Sequence, residues 1–303
     1  MKKRVIKIAT RPSELALWQA NFVGSLLEEL GFGYELLPIL SSADQHQLPL
    51  NKSGGKGQFV KSIQQAVLDF RADIAVHSAK DLACVTSQGL YLAAVPKRFL
   101  VNDVLVANKK LATLPQNTKI ATGSIRRASQ LKLIRDDLEC VQIRGNVPTR
   151  INRFKKGEYA AIMLAQAGLE RLGLMQDNFE IIPVDVMIPA AGQGALAVEC
   201  RENDKVMQEI LTRVNDYNSQ QALLAERACL HKLGGHCFAP IGCYAKVIGN
   251  DIELVANVVA KKELRVVKKG KVEDAVVVGI DAAVALNKLG AQEILQGCYE
   301  KNT

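Results

Sequence analysis

Five turns in this sequence follow short strands, and most gather side chains suited to holding an anion. They are Thr10-Arg11-Pro12-Ser13, His77-Ser78-Ala79-Lys80-Asp81, Thr122-Gly123-Ser124 followed by Ile125-Arg126-Arg127, the run from Arg144 and Gly145 to Thr149 and Arg150, and Ala165-Gln166-Ala167-Gly168. Four of the five set Arg or Lys beside Ser or Thr. A guanidinium fork pairs bidentately with carboxylates and phosphates. A helix N-terminus adds free N–H groups and a partial positive charge. Capping preference alone accounts for Ser or Thr at any single turn. Basic residues recurring at equivalent places point instead to a set of anion sites around a common crevice.

The elements that carry these turns repeat one unit: a short β-branched run, the turn, then a helix-like segment. Val5 to Ala9 reads as a strand. The helix after it runs to about Leu30, with Leu15, Trp18, Phe22, Leu26 and Leu30 on one face and Gly31 as its stop. Further strands are expected at Ile74 to Val76, Lys119 to Ala121, Cys140 to Ile143 and Ala160 to Leu164. Such alternation argues an open α/β sheet, where ligands bind beyond the carboxyl ends of the strands. After about Asn215 the texture changes. A helical stretch from Ala222 to Leu233 leads to GGHCFAPIG, then to Tyr244–Ile248, a Gly249-Asn250 turn, Ile252–Ala260 and Leu264–Lys268, with helical segments from about Asp281 to Gln296. That pattern predicts a small antiparallel sheet in a separate α+β domain.

The 303 residues allow two or three domains, and 48% hydrophobic with 23% charged residues is ordinary globular composition. No apolar run approaches the roughly 20 residues of a membrane span. Lys7 interrupts the short apolar stretch after the basic start, so the start is read as a β-strand of a cytoplasmic protein. Net charge is +8, and nucleic acid, a membrane surface and an anionic small molecule all fit that number. Aromatic residues are 5% and no RNA- or DNA-binding motif appears, which disfavours nucleic acid. Seven scattered cysteines make no CxxC pair, and four histidines make no HExxH pattern, so neither a metal site nor a disulfide framework is expected. Most of the cysteines should be buried small apolar residues. His236 precedes Cys237, but adjacent loop side chains point apart, and no third group is spaced to complete a Cys/His site.

Ten segments in order carry a resemblance over almost the whole chain. They are RPSELALWQA (11–20), GGKGQFVK (54–61), ADIAVHSAKDL (72–82), GLYLAAVPKR (89–98), TGSIRRASQL (122–131), RGNVPTRI (144–151), LAQAGLERLG (164–173), PAAGQGALAVECR (189–201), AERACL (225–230) and GGHCFAPIG (234–242). The sequence resembles the hydroxymethylbilane synthase (porphobilinogen deaminase) family. These enzymes are transferases of porphyrin and haem biosynthesis. They join four porphobilinogen molecules head to tail on a covalent dipyrromethane and release the linear tetrapyrrole by hydrolysis.

The resemblance implies two lobes like those of periplasmic binding proteins, with a discontinuous first domain, plus a small C-terminal α+β domain. Domain 1 would hold residues 1–97 and 193–213, domain 2 residues 101–188 and domain 3 residues 216–303, with hinges near 96–102 and 189–194. It places the dipyrromethane thioether on Cys237 and the catalytic carboxylate on Asp81, in HSAKDL. Expelling ammonia from porphobilinogen leaves a cation, and a fixed carboxylate stabilises the charge developing on the pyrrole nitrogen. At about 4 Å and an effective dielectric near 20, that pairing is worth roughly 4 kcal/mol. Each ring brings an acetate and a propionate, which explains so many basic turns. By resemblance, Ser78, Lys80, Asp81, Thr122, Ser124, Arg126, Arg127, Arg144 and Gly145 hold the cofactor. Arg11, Ser13, Lys56, Phe59, Arg150 and Gln193 meet the substrate, Phe59 by stacking. For Arg127 and Arg150 a structural role competes. No metal, nucleic acid or membrane partner is implied, and the expected state is a monomer.

The chain departs from the family at several places. The 41–55 loop lacks the usual Thr-Arg-Gly-Asp and keeps only Asp44. An acidic REDPRDA-like stretch reads RFLVNDV (98–104). Gly123 stands for Ser, Pro148 for Gly, Ala83 for Pro and His236 for Gly. The competing reading is a non-catalytic two-lobed binding protein for an anionic metabolite or pigment. A pigment carrier would keep Cys237 without needing Asp81.

Overall fold

The computed structural model describes residues 4–40, 56–235 and 239–300. The chain divides into two compact units, Met1–Arg98 with Ala195–Gln220, and Phe99–Gly194 with Gln221–Thr303. Along the chain the first unit supplies β1 (Val5–Thr10), α1 (Glu14–Glu29), β2 (Gly33–Pro38), α2 (Lys56–Leu68), β3 (Ile74–Ser78), a 3-10 turn (Ala79–Asp81) and β4 (Leu90–Ala94). The second follows with β5 (Asp103–Ala107), β6 (Lys119–Ala121), α3 (Ile125–Ile134), β7 (Glu139–Val141), α4 (Val147–Lys155), β8 (Ala161–Ala165), α5 (Gln166–Arg171) and β9 (Glu180–Ile182). The chain then returns to the first unit for β10 (Leu196–Arg201), α6 (Lys205–Thr212) and the start of α7 (Tyr217–Lys232). It ends in the second with β11 (Ile241–Ile248), β12 (Asp251–Val259), β13 (Glu263–Lys271), α8 (Ala275–Lys288) and α9 (Ala291–Glu300).

Two five-stranded sheets share one topology. The first runs β2-β1-β3-β10-β4 and the second β7-β6-β8-β5-β9. In each, the three leading strands are parallel and the fourth position holds an antiparallel strand, β10 or β5. Both of those strands lie just after a crossing of the chain from one unit to the other. This doubled topology is the two-lobed α/β class expected. The third sheet, β11-β12-β13, is an antiparallel meander whose β11–β12 hairpin closes through Gly249-Asn250, with Gly249 at φ +60°. Its core of Cys229, Leu254, Ala256, Val258, Ala282 and Leu286 is separate from the cores of the larger sheets.

Local physics accounts for the elements that present the turns. α1 stops at Gly31 (φ +90°) in a Schellman arrangement, Phe32 N–H donating to Leu27 O at 3.0 Å and Gly31 N–H to Glu28 O at 2.9 Å. Its most buried face is not the expected large-residue stripe but Gln19, Ala20, Val23, Gly24 and Leu27. Close packing decides this: a Cβ at Gly24 would come within 2.5 Å of the Tyr34 ring, so only the small-residue side fits against β2. The stripe lies along the flank, with Trp18 and Phe22 stacked at 5.5 Å. Pro148 falls in the first turn of α4, where its missing N–H has no intrahelical partner to lose.

Candidate anion-binding site

Each unit places its basic turns at the carboxyl edge of its own parallel strands. In the first unit, β1 and β3 are adjacent and parallel, so Arg11–Ser13 and Ser78–Asp81 emerge side by side. Ser13 is the N-cap residue of α1. Gln19 of α1 reaches across to Ser78, its Nε2 donating to Ser78 Oγ at 2.8 Å. The turn that follows is anchored from the other side by Ala79 N–H donating to Ala195 O at 3.0 Å. Arg11, Ser13, Ser78, Lys80 and Asp81 are all half-buried, accessible to a ligand yet held by a rigid strand end. Behind them, Glu199 of β10 accepts from Gln64 Nε2 at 2.9 Å and lies 3.2 Å from His77 Nε2. The His77 ring is not oriented for a hydrogen bond to it. Lys56 and Phe59 open α2, and their side chains, like Cys237 and His236, lie outside the described residues.

In the second unit, β6 and β7 are parallel neighbours that lead into Thr122–Ser124 and, past Ile143, into Arg144–Asn146. Thr122 is buried, its N–H donating to Val141 O at 2.8 Å and its Oγ1 accepting from Ser124 N–H at 3.2 Å. Ser124 caps α3 by accepting from Arg127 N–H at 3.4 Å, and Asn146 caps α4 by accepting from Thr149 N–H at 2.9 Å. Gly145 sits at φ +103°, and a Cβ there would meet Thr149 at 2.8 Å, so the turn requires glycine. Arg150 Nε donates to Gly145 O at 2.8 Å, folding that guanidinium back over its own turn.

Arg126 and Arg127 are mostly committed inside the protein. Both converge on Asp103, the first residue of β5, which is 0% exposed. Arg126 Nη1 lies 2.7 Å from Asp103 Oδ2 and donates to Ile188 O at 2.8 Å. Arg127 meets Asp103 Oδ1 through Nε at 2.9 Å and Nη2 at 2.7 Å, and donates to Met163 O at 3.0 Å. Gln193 completes the cluster, Nε2 donating to Asp103 Oδ1 at 2.9 Å and to Val101 O at 2.7 Å. Burial alone would raise the Asp103 pKa. The two guanidiniums and their hydrogen bonds outweigh it and hold the carboxyl well below the usual carboxylate range. One carboxylate against two guanidiniums leaves a net positive charge at the edge of the sheet. Arg126 also keeps a buried Nε–H with no acceptor among the described residues. A buried donor left over beside excess positive charge fits the carboxylates of a bound polyanion such as dipyrromethane.

Sequence reasoning missed Asp103, Gln130, Gln19, Glu226 and Arg171. Asp103 carried a readable signal: a charged residue heading the wholly buried strand DVLVA must be paired. Arg171 donates through Nη2 to Gly194 O at 2.9 Å, and burial pushes its guanidinium down to about 10. Of the six described cysteines, Cys200, Cys229 and Cys243 are buried. Burial pushes the Cys200 thiol up to about 11, which makes it inert. Among the described residues, no group of three or more His, Cys, Asp and Glu could hold a metal, and no helix is long and apolar enough to cross a membrane.

These features define a two-lobed α/β protein with basic strand ends and a small α+β appendage. Residues 6–209 match the model of the porphobilinogen deaminase dipyrromethane cofactor binding domain, and residues 220–289 match that of the porphobilinogen deaminase C-terminal domain. The porphobilinogen deaminase of Legionella pneumophila (strain Lens) is 40% identical over 304 residues, covering 97% of this chain and 98% of its own. That of Maridesulfovibrio salexigens is 40% identical over 306 residues, covering 98% and 99%. The chain belongs to the porphobilinogen deaminase family.

Proposed function

We infer that the chain acts as a hydroxymethylbilane synthase, a transferase that deaminates and condenses four porphobilinogen molecules on a dipyrromethane carried by Cys237. One observation carries the site reading: the Arg126 Nε–H, buried and without an acceptor among the described residues, beside a guanidinium pair locked in place by Asp103. When bound, the dipyrromethane supplies the pyrrole carbon to which each new unit is joined. Arg126, with Thr122, Ser124, Arg144 and the Gly145 turn, would hold its acetates and propionates. Arg127 contributes mainly by fixing Asp103. Ser78 and Lys80 would join Arg126 at the cofactor, Arg11, Ser13, Lys56 and Arg150 would pair with the substrate carboxylates, Gln193 would line the crossing segment and Phe59 would stack on a ring.

Asp81 would stabilise the positive charge that develops on the substrate pyrrole nitrogen as ammonia departs. The end of β3, held at Ser78 by Gln19 and at Ala79 by Ala195, would limit the reorganisation that carboxylate needs. The separate hydrophobic core around Cys229 and Leu286 supports a three-domain division at 1–97 with 193–213, 101–188 and 216–303. A cytoplasmic monomer without nucleic-acid or membrane partners accords with a small anionic substrate.

The test is the intact mass of the purified protein beside Cys237→Ala. An excess equal to two linked pyrrole units in the wild type, absent from the variant, supports the assignment. If incubation with porphobilinogen adds no mass to an unmodified wild type, the assignment is wrong.

A further inference from the structure

Glu226, in the AERACL segment of α7, is 0% exposed, and nothing in the reaction described above uses it. Its carboxylate accepts two backbone hydrogen bonds from different places. Gly192 N–H donates to Oε2 at 2.6 Å and Ala245 N–H, in β11, donates to Oε1 at 2.8 Å. A buried carboxylate is costly unless such donors satisfy it, so this residue holds three elements together: α7, β11 and the segment 188–193. The same segment is gripped along its length. Cys243 N–H donates to Pro189 O at 2.8 Å, and a Cβ at Gly242 would strike Ile188 at 2.8 Å, so β11 lies directly against it. From the α3 side, Gln130 pairs with both backbone groups of Ile188, at 2.8 and 3.0 Å, while Arg126 donates to Ile188 O. One residue past Gly192, Gln193 bonds Asp103.

A continuous hydrogen-bonded path therefore runs from α7 and β11 through residues 188–193 to the Asp103–Arg126–Arg127 cluster. In sequence, α7 and β11 flank the loop that bears Cys237. We propose that Glu226 is a positioning residue: it makes segment 188–193 a strut that fixes where the cofactor-bearing loop is anchored relative to the carboxylate-binding arginines. This rests on the functional reading above. Misplacement of reacting groups by about 1 Å costs up to about a hundredfold in rate, so partial loosening of the strut should cost roughly tenfold.

Glu226→Gln keeps size and shape but turns one acceptor into a donor facing an N–H, which breaks one of the two bonds. Glu226→Asp keeps both acceptors but falls one methylene short. Holoenzyme of each is compared with wild type by intact mass, kcat and KM for porphobilinogen, and thermal unfolding. The expected result is full cofactor mass in both variants, kcat per loaded site down about tenfold in the Gln variant and less in the Asp variant, and KM within about twofold. If the Gln variant does not fold, the Asp variant alone must show the kcat loss with cofactor retained. Wild-type kcat per loaded site in a folded variant overturns the proposal, as does activity lost only in proportion to unfolded protein. A wild type with neither cofactor mass nor turnover instead overturns the functional reading, and this proposal with it.

Discussion

Replacing Asp103 with Asn removes the only negative charge in the Arg126–Arg127–Gln193 cluster while preserving its shape. Two guanidiniums are then left side by side at 4% and 8% side-chain exposure, with no charge between them. Breaking a buried ion pair by deleting one partner costs about 3–5 kcal/mol, and the Asn carbonyl retains one acceptor, which favours about 3. A unit of this size shifts its melting temperature by roughly 2–4 °C per kcal/mol, so the variant should melt about 6–12 °C lower at neutral pH. The pH dependence has a definite sign. The folded-state pKa of Asp103 is depressed, so its contribution is complete above the unfolded value of about 3.9 and is lost as pH falls through the lower folded value. The gap between wild type and variant should thus be constant from about pH 7 to 5 and narrow only below about pH 4. Differential scanning calorimetry over that range is the assay. A variant melting within about 2 °C of wild type at pH 7 would refute the central place given to this cluster.

Asp81→Asn should retain the cofactor mass yet lose about a thousandfold in kcat, since roughly 4 kcal/mol of charge stabilisation disappears. Near-wild-type turnover would remove Asp81 from its role. Gly194→Ala should be far more damaging than Gly157→Ala. Both glycines have positive φ, +83° and +75°, but a Cβ at Gly194 would lie 2.5 Å from Leu100 O, whereas nothing is near Gly157. Strain alone should lower the melting temperature by roughly 2–12 °C at either site. Equal melting temperatures would show that the backbone around Leu100 yields.

The turns were legible because their chemistry is local. Ser124 and Asn146 cap the helices that follow them, Gly31 ends α1, and Gly249-Asn250 closes a hairpin, all within a few residues of chain. The face of α1 was misread because large apolar residues look like a core, whereas the tight approach of Tyr34 selects Gly24 and Ala20. Asp103 escaped notice because its partners lie more than twenty residues away in Arg126 and Arg127, and ninety away in Gln193. The family pattern picked out the two arginines as ligand-binding, but their pairing to a buried carboxylate is a tertiary fact. β5 and β10 were the hardest elements to foresee: β5 pairs with β8 and β9, which lie far later in the chain, and β10 completes a sheet begun by β1 to β4.

The late arrival of β10 shapes how the protein is made. β10 sits between β3 and β4 in the first sheet, yet it leaves the ribosome roughly a hundred residues after both. At about 5–20 residues per second this is a delay of roughly 5–20 s. Until it ends, β3 and β4 are open edges on the nascent chain, of the kind that invites pairing with other chains. The N-terminal unit therefore cannot mature before the middle of the polypeptide has been synthesised, and its early fragments are natural clients for a chaperone that shields strand edges.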